Sequence, residues 1–148
     1  MLIYLDLCCF NRPWDDQRHD RIRLETEAKL MLQERVRAKT ARLAWSYVLD
    51  HECSLNPFPD RRAAVLHWRG LADINVMESP SVLERAKGFV DAGVAVFDAL
   101  HVACAVAAGA DMFVSTDDRL LRKLQSIQPL VALLPGAALA RVEGWYEV

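Results

Sequence analysis

The sequence predicts an α/β protein, a three-layer α/β/α sandwich built on a central parallel sheet of four to five strands. Three observations carry that prediction. Short apolar runs rich in strand formers recur along the chain, each too short for a buried helix. Segments of helical periodicity separate them. Those separators are long enough for the crossover connections of roughly a dozen residues that parallel neighbours require. With 148 residues, 53% of them hydrophobic, one core suffices without disulfides or a structural metal, so residues 1–148 read as a single domain.

Leu2-Ile-Tyr-Leu5 is the first strand and stops at Asp6. A polar loop, residues 11–20, leads to a long amphipathic helix in which Leu24, Ala28, Met31, Leu32 and Val36 recur at helical spacing. Leu43-Ala-Trp45 is the second strand, and Ser46 caps a helix reaching about Leu55, ended by Asn56-Pro-Phe-Pro59. Asp60 is expected to cap another helix ending near Gly70. Ile74–Met77 is the third strand, and Ser81-Val-Leu-Glu84 is a capping box opening a helix that Gly93 closes. Asp98 to Ala108 holds strong helix formers and small residues, with Gly109 as its stop. Met112–Ser115 is the fourth strand, Thr116 caps a helix from Asp117 to Gln125, and Leu130–Leu134 is the fifth strand, ended by Pro135-Gly136.

The charges exclude some functions. Twenty acidic residues against eighteen Lys and Arg leave a net charge of −2, unlike the basic footprint of a protein that coats nucleic acid. The start of the chain lacks the features of a secretory signal. The longest uncharged stretch, Leu124 to Ala140, is shorter than the ~20 apolar residues of a membrane helix and is broken by Pro129 and Pro135. Cys8, Cys9, Cys53 and Cys104 form no CxxC pair, so four reduced thiols and a cytoplasmic location, without membrane attachment, are expected.

In an open parallel sheet the functional crevice lies beyond the carboxyl ends of the strands. Asp6 ends the first strand, Glu52 follows the second, Asp98 opens the helix before the fourth, and Asp117 and Asp118 follow the fourth. Singly, each has a structural explanation as a cap or a solvated side chain. Together they are costly, because two carboxylates about 4 Å apart repel by roughly 4 kcal/mol at an effective dielectric of about 20. A cation offsets that cost, and oxygen donors suit a hard ion such as Mg²⁺ or Mn²⁺.

These residues resemble the PIN domain ribonucleases, which include the VapC toxins of VapBC toxin–antitoxin pairs. The resemblance rests on Ile3-Tyr-Leu-Asp6, on Ser46 with Glu52 six residues later, on Asp98-Ala-Leu-His-Val-Ala-Cys-Ala105 and on Val114-Ser-Thr-Asp-Asp-Arg119. It implies a metal-dependent endoribonuclease whose acidic site comprises Asp6, Glu52, Asp98 and Asp118. Asp118 is taken as the fourth acid because it stands two residues after Thr116, with Asp117 as a helper. By the same resemblance Thr116 orients a carboxylate or a metal-bound water, the substrate is RNA, a VapB-like antitoxin is the partner, and the protein forms a homodimer. The chain departs from the family where Leu7 and Cys8 stand in place of a hydroxyl residue after the first acid. That departure keeps open a second reading, a catalytically weak or inactive PIN-like binding module.

Other positions follow from chemistry near the inferred edge. Asn11 offers a polar contact from the loop after the first strand. Arg12 and Arg119 are placed to hold phosphates beside the scissile one, and Trp14 to stack on an unpaired base, although packing explains Trp14 equally well. His101 reads as a core histidine on a packing helix, and Cys8 and Cys9 as structural thiols.

Overall fold

The computed structural model describes residues 1–127 and 130–147; Pro129 lies outside them. Its sheet is built from β1 (Leu2–Leu5), β2 (Arg42–Ser46), β3 (Ile74–Val76), β4 (Met112–Val114) and β5 (Ala132–Leu133). All pairings are parallel and the order is β3-β2-β1-β4-β5. The strand made first therefore lies at the centre, and the order reverses between β1 and β4. Central parallel strands must be covered on both faces, and every residue of β1 and β4 is buried.

Among the described residues eight α-helices accompany the sheet: α1 (Leu7–Asn11), α2 (Asp20–Arg37), α3 (Tyr47–Ser54), α4 (Pro59–Leu66), α5 (Pro80–Asp91), α6 (Val96–Ala108), α7 (Asp118–Leu124) and α8 (Pro135–Glu143). Helix α2 packs on α8 and β2, while α6 packs on α5 and on β2, β3 and β4. The result is the expected three-layer sandwich. Its core centres on Tyr4, stacked on Phe113 with ring centroids 5.6 Å apart, and on Phe10, which meets Trp45 edge-on at 5.5 Å. Aromatic pairs of this kind add about 0.5–1.5 kcal/mol beyond the area they bury.

Several boundaries differ from the sequence reading, each for a local reason. The chain does not run as a loop after β1, because the Asp6 carboxylate accepts the Leu7 N–H at 2.8 Å and starts α1 at once. Proline at the first helical position moves two caps upstream. Pro59 and Pro80 open α4 and α5, so Asp60 falls within a first turn and Ser79, whose hydroxyl accepts the Val82 N–H, replaces Ser81 as cap. Helix α4 stops at Leu66 and a 3-10 turn continues to Leu71. Helix α6 starts at Val96, which places Asp98 in its first turn. Asp117, not Thr116, caps α7, its Oδ1 accepting the N–H groups of Arg119 and Leu120. Helix α8 was not anticipated, because Pro135-Gly136 reads as a stop when it is in fact a helix start.

Two sequence signals act as expected. Ser46 Oγ accepts the Leu49 N–H and begins α3, and Gly109, at φ 72°, closes α6 in the left-handed conformation that glycine adopts without strain. All four cysteines are free. Among the described residues no helix is long and apolar enough to cross a membrane.

Candidate active site

The sheet reverses order at β1 and β4, and the Asp6 N–H donates to Val114 O at 2.9 Å, tying the two strand ends together. Asp6 is buried there, at 7% exposure. Its Oδ1 is held by the Leu7 N–H, and its Oδ2 accepts the Ser115 hydroxyl at 3.1 Å and lies 3.6 Å from Cys8 Sγ. A buried carboxylate oriented by three donors is fixed in direction. The hydroxyl missing after the first acid is thus supplied from the end of β4, by Ser115.

Ser115 also accepts the Asp117 N–H at 3.1 Å, so one side chain organises both the first acid and the turn into α7. This corrects the expectation for Thr116, whose backbone N–H meets Cys8 Sγ at 3.4 Å. Sequence reasoning passed over Ser115 because two hydroxyl residues stand in succession, and only the register of β1 against β4 decides which one faces Asp6.

Glu52 reaches the same edge from α3. His101, on α6, hydrogen-bonds Glu52 through Nε2 and lies 3.8 Å from Asp6 Oδ1 through the same nitrogen. On its other side Nδ1 shares a 2.7 Å hydrogen bond with the Tyr4 hydroxyl, which in turn bonds Ser46 Oγ at 2.6 Å. His101 is 1% exposed, so it is a core histidine as expected, but it also ties Glu52 to the sheet. Burial pulls its pKa down, and the Glu52 hydrogen bond with the charges of Asp6, Glu52 and Asp98 more than restores it, so that it lies above the ordinary histidine value. The one signal available was its position three residues after Asp98, on the same helical face.

Asp98 faces this group from the first turn of α6. Half-burial, then the negative charges of Asp6, Asp117 and Glu52, raise its pKa to about 6, against the partial relief given by His101. Asp6, Glu52, Asp98 and Asp117 are therefore close enough to feel one another. Asp118 is not in this group. It points outward, where Arg21 grips it at 2.6 and 2.8 Å and holds its pKa below the usual carboxylate range. The structure places Asp117 rather than the expected Asp118 beside Asp98, because Asp118 is turned towards α2 and held by Arg21.

The donor chemistry of this edge is carboxylate oxygen, suited to a hard divalent cation, and the raised Asp98 pKa marks a negative charge that such an ion would offset. No three His, Cys, Asp and Glu side chains among the described residues are gathered tightly enough to hold an ion as they stand. The residues fit such an ion by donor type, and Glu52 is engaged by His101.

Beside the acids, a cavity of about 420 Å³ is lined by Asn11, Trp14, Glu52, Asn56, Phe58 and Arg61. Asn11 Oδ1 is buried there without a hydrogen-bond partner. Trp14 is half-open to solvent, with the Arg61 guanidinium 5.7 Å from its ring centroid. Arg119 is exposed at the start of α7. Arg12 is committed elsewhere: it pairs with Glu25 at 2.8 Å and Asp15 at 3.0 Å, which removes it from the expected phosphate contacts.

No family model matches the sequence, and no curated protein matches it significantly. Solved structures do match the fold. A chain of VapBC2 from Rickettsia felis, bound to a DNA fragment from their promoter, superposes with a TM-score of 0.59 at 13% identity, over 90% of this chain and 98% of that one. DNA-bound VapBC from Salmonella typhimurium gives 0.58 at 16% identity, over 91% and 99%. PAE2754 from Pyrobaculum aerophilum gives 0.55 at 19% identity, over 97% and 96%. At these identities the likeness shows the fold alone, a three-layer α/β/α sandwich shared with these chains.

Proposed function

We propose that this protein is a Mg²⁺- or Mn²⁺-dependent endoribonuclease, acting in the cytoplasm as the toxin of a VapBC-type pair. The observation that carries this reading is the approach of Asp6, Glu52 and Asp117 to Asp98 at the carboxyl edge of the sheet, where burial and then their negative charges raise the Asp98 pKa to about 6. A divalent ion bound at such carboxylates polarises a phosphodiester and lowers the pKa of water for in-line attack. Asp6, Glu52, Asp98 and Asp117 would hold it. Ser115 and the Leu7 N–H fix the direction of Asp6, and His101 with Tyr4 and Ser46 sets the reach of Glu52. Arg119 and Trp14 flank the acids and are suited to a phosphate and an unpaired base.

Support for an antitoxin partner comes from the two VapBC complexes whose fold this chain shares. A homodimer is part of the same reading, and the exposed Leu83, Val90, Val96 and Phe97 on α5 and α6 give it an apolar face.

The test is cleavage of a mixed RNA pool with Mg²⁺ or Mn²⁺ by the wild type, Asp6→Asn and Asp98→Asn. Both variants are expected to lose at least a thousandfold in rate. Equal cleavage by wild type and variants would sink the nuclease reading. For the toxin step, expression is expected to arrest growth and a neighbouring antitoxin gene to relieve it; unimpaired growth with an enzyme proven active would count against it. One observation favours the alternative of a weak or inactive binding module, namely that Glu52 is engaged by His101 and no three ligands are gathered. In that case metal binds and no RNA is cut.

A further inference from the structure

The flank formed by α2 holds a second polar site. Helix α2 turns an unusual face inward, where Glu25, Lys29 and Gln33 at four-residue spacing are buried with Ala28, Leu32 and Val36. Glu25 is neutralised by Arg12 and Arg21. Lys29 and Gln33 are not matched in this way. Lys29 is 5% exposed, and its Nζ lies 5.8 Å from the ring centroid of Phe10. Burial lowers its pKa to about 8 and no carboxylate charge opposes the shift. Gln33 is 4% exposed and its Nε2 has no hydrogen-bond partner.

Both residues line one cavity of about 380 Å³, together with Phe10, Trp14, Trp68 and Arg37. Their positions, one turn apart on one helix, set their Cβ atoms about 6 Å apart, a spacing that lets two side chains reach a common acceptor. Arg37 stands a further turn along, its guanidinium stacked 4.8 Å over Trp68. An ammonium brings three donors, an amide two and a guanidinium up to five in a planar fork. An acceptor-rich oxyanion matches that set, and the guanidinium is the side chain that recognises phosphate in two-pronged fashion. The aromatic walls make the cavity larger and flatter than a bare phosphate requires.

We propose that this cavity is a nucleotide-phosphate site, in which Lys29 and Gln33 bind phosphate oxygens, Arg37 closes on them from the rim, and Trp14 offers its ring to the base. Trp14 also lines the cavity that contains Glu52, so the two cavities meet at one indole. A free 5′-mononucleotide and the 5′-phosphorylated end of an RNA strand present the same chemistry to these side chains. The site is independent of cleavage and is read with the acids metal-free.

The experiment is calorimetric titration in EDTA with 5′-AMP, adenosine, inorganic phosphate, glutamate, and an RNA trinucleotide with or without a 5′-phosphate. Wild type is expected to bind 5′-AMP at least tenfold more tightly than adenosine or glutamate. Lys29→Met and Gln33→Leu are each expected to weaken 5′-AMP at least tenfold. Lys29→Met replaces a buried ammonium by an apolar chain of similar volume, which buried sites tolerate well; an unchanged melting profile keeps its result interpretable, and Gln33→Leu provides the second reading if it melts early. A trinucleotide that binds more tightly with its 5′-phosphate than 5′-AMP does assigns the site to an RNA end; equal or weaker binding assigns it to a free nucleotide. Glutamate or adenosine binding as well as 5′-AMP, equal binding by the variants, or no 5′-AMP binding at millimolar concentration overturns the proposal.

Discussion

The carboxyl edge of the sheet and the α2 flank meet at Trp14, yet each manages its charge differently. At the edge, Asp6, Glu52 and Asp117 bear on Asp98 from the end of β1, from α3 and from the β4–α7 turn, and the His101 imidazole, hydrogen-bonded to Glu52, gives partial relief. On the flank, arginines are tied up by neighbours: Arg12 by Glu25 and Asp15, Arg21 by Asp118 and Glu25. The edge is thus held together by backbone and hydroxyl hydrogen bonds against its own repulsion, whereas the flank is held by ion pairs that cancel. A surplus of one sign remains at the edge, and a smaller surplus of the other sign remains on the flank, at Lys29. Residual charge of this kind is what a ligand of opposite sign can use.

The contrast is broken most sharply by exchanging adjacent acids. Asp117→Asn is expected to lower metal-dependent RNA cleavage by about a hundredfold or more, and Asp118→Asn to leave it within about threefold, since Asp118 is engaged in an exposed ion pair with Arg21. The opposite ranking in a rate assay would return the fourth acid to Asp118. Next in size is His101→Gln, expected to raise the Mn²⁺ concentration for half-maximal binding by roughly 10–100-fold, the range seen when a residue that orients a metal ligand is lost. Unchanged Mn²⁺ affinity with a lowered melting temperature would reduce His101 to packing.

The smallest effects lie in stability against pH and have opposite signs in the two regions. Asp98 has a raised pKa, so without metal the folded protein binds more protons than the unfolded chain between about pH 4 and 6, and stability falls as pH rises through that window. Asp98→Asn is expected to remove that loss, on the order of 1 kcal/mol after solvent screening of a half-buried group. Lys29 has a lowered pKa, so stability gains as pH rises from about 8 towards 10.5. The Cys9 thiol on α1 opposes the shift, Arg37 and His67 line the same cavity, and Glu25 stands one turn away in its pairs with Arg12 and Arg21. Relative to the wild type, Lys29→Met is expected to lose that gain, on the order of 1–3 kcal/mol. Denaturant midpoints at pH 4, 6, 8 and 10 measure both; parallel curves for variant and wild type would erase the difference between the regions.

The edge was legible in the sequence because a carboxylate just beyond an apolar run has its position set by the strand that precedes it. Asp6 is the clearest instance. What failed there was a single step of register: Ser115 and Thr116, and Asp117 and Asp118, are chemically interchangeable pairs, and the cap that selects between them is a three-dimensional event. The flank was far less legible. Which arginine stays free depends on partners distant in sequence, such as Arg21 with Asp118, and nothing in the pattern of α2 showed that Lys29 and Gln33 turn inward while Leu24, Leu30 and Met31 stay exposed. Helix α8 was lost for a different reason, since a proline after a strand is compatible with both a stop and a start.

The central place of β1 also governs when this molecule comes into being during synthesis. Asp6 emerges from the ribosome first, but its neighbour strand β4 and the turn bearing Ser115 and Asp117 follow roughly 110 residues later, some 5–20 s at ordinary elongation rates. Until then β1 can pair only with β2, and the four acids, drawn from almost the whole length of the chain, cannot meet. A nascent chain that stops short of Asp117 lacks one of the four acids and cannot carry the assembled edge.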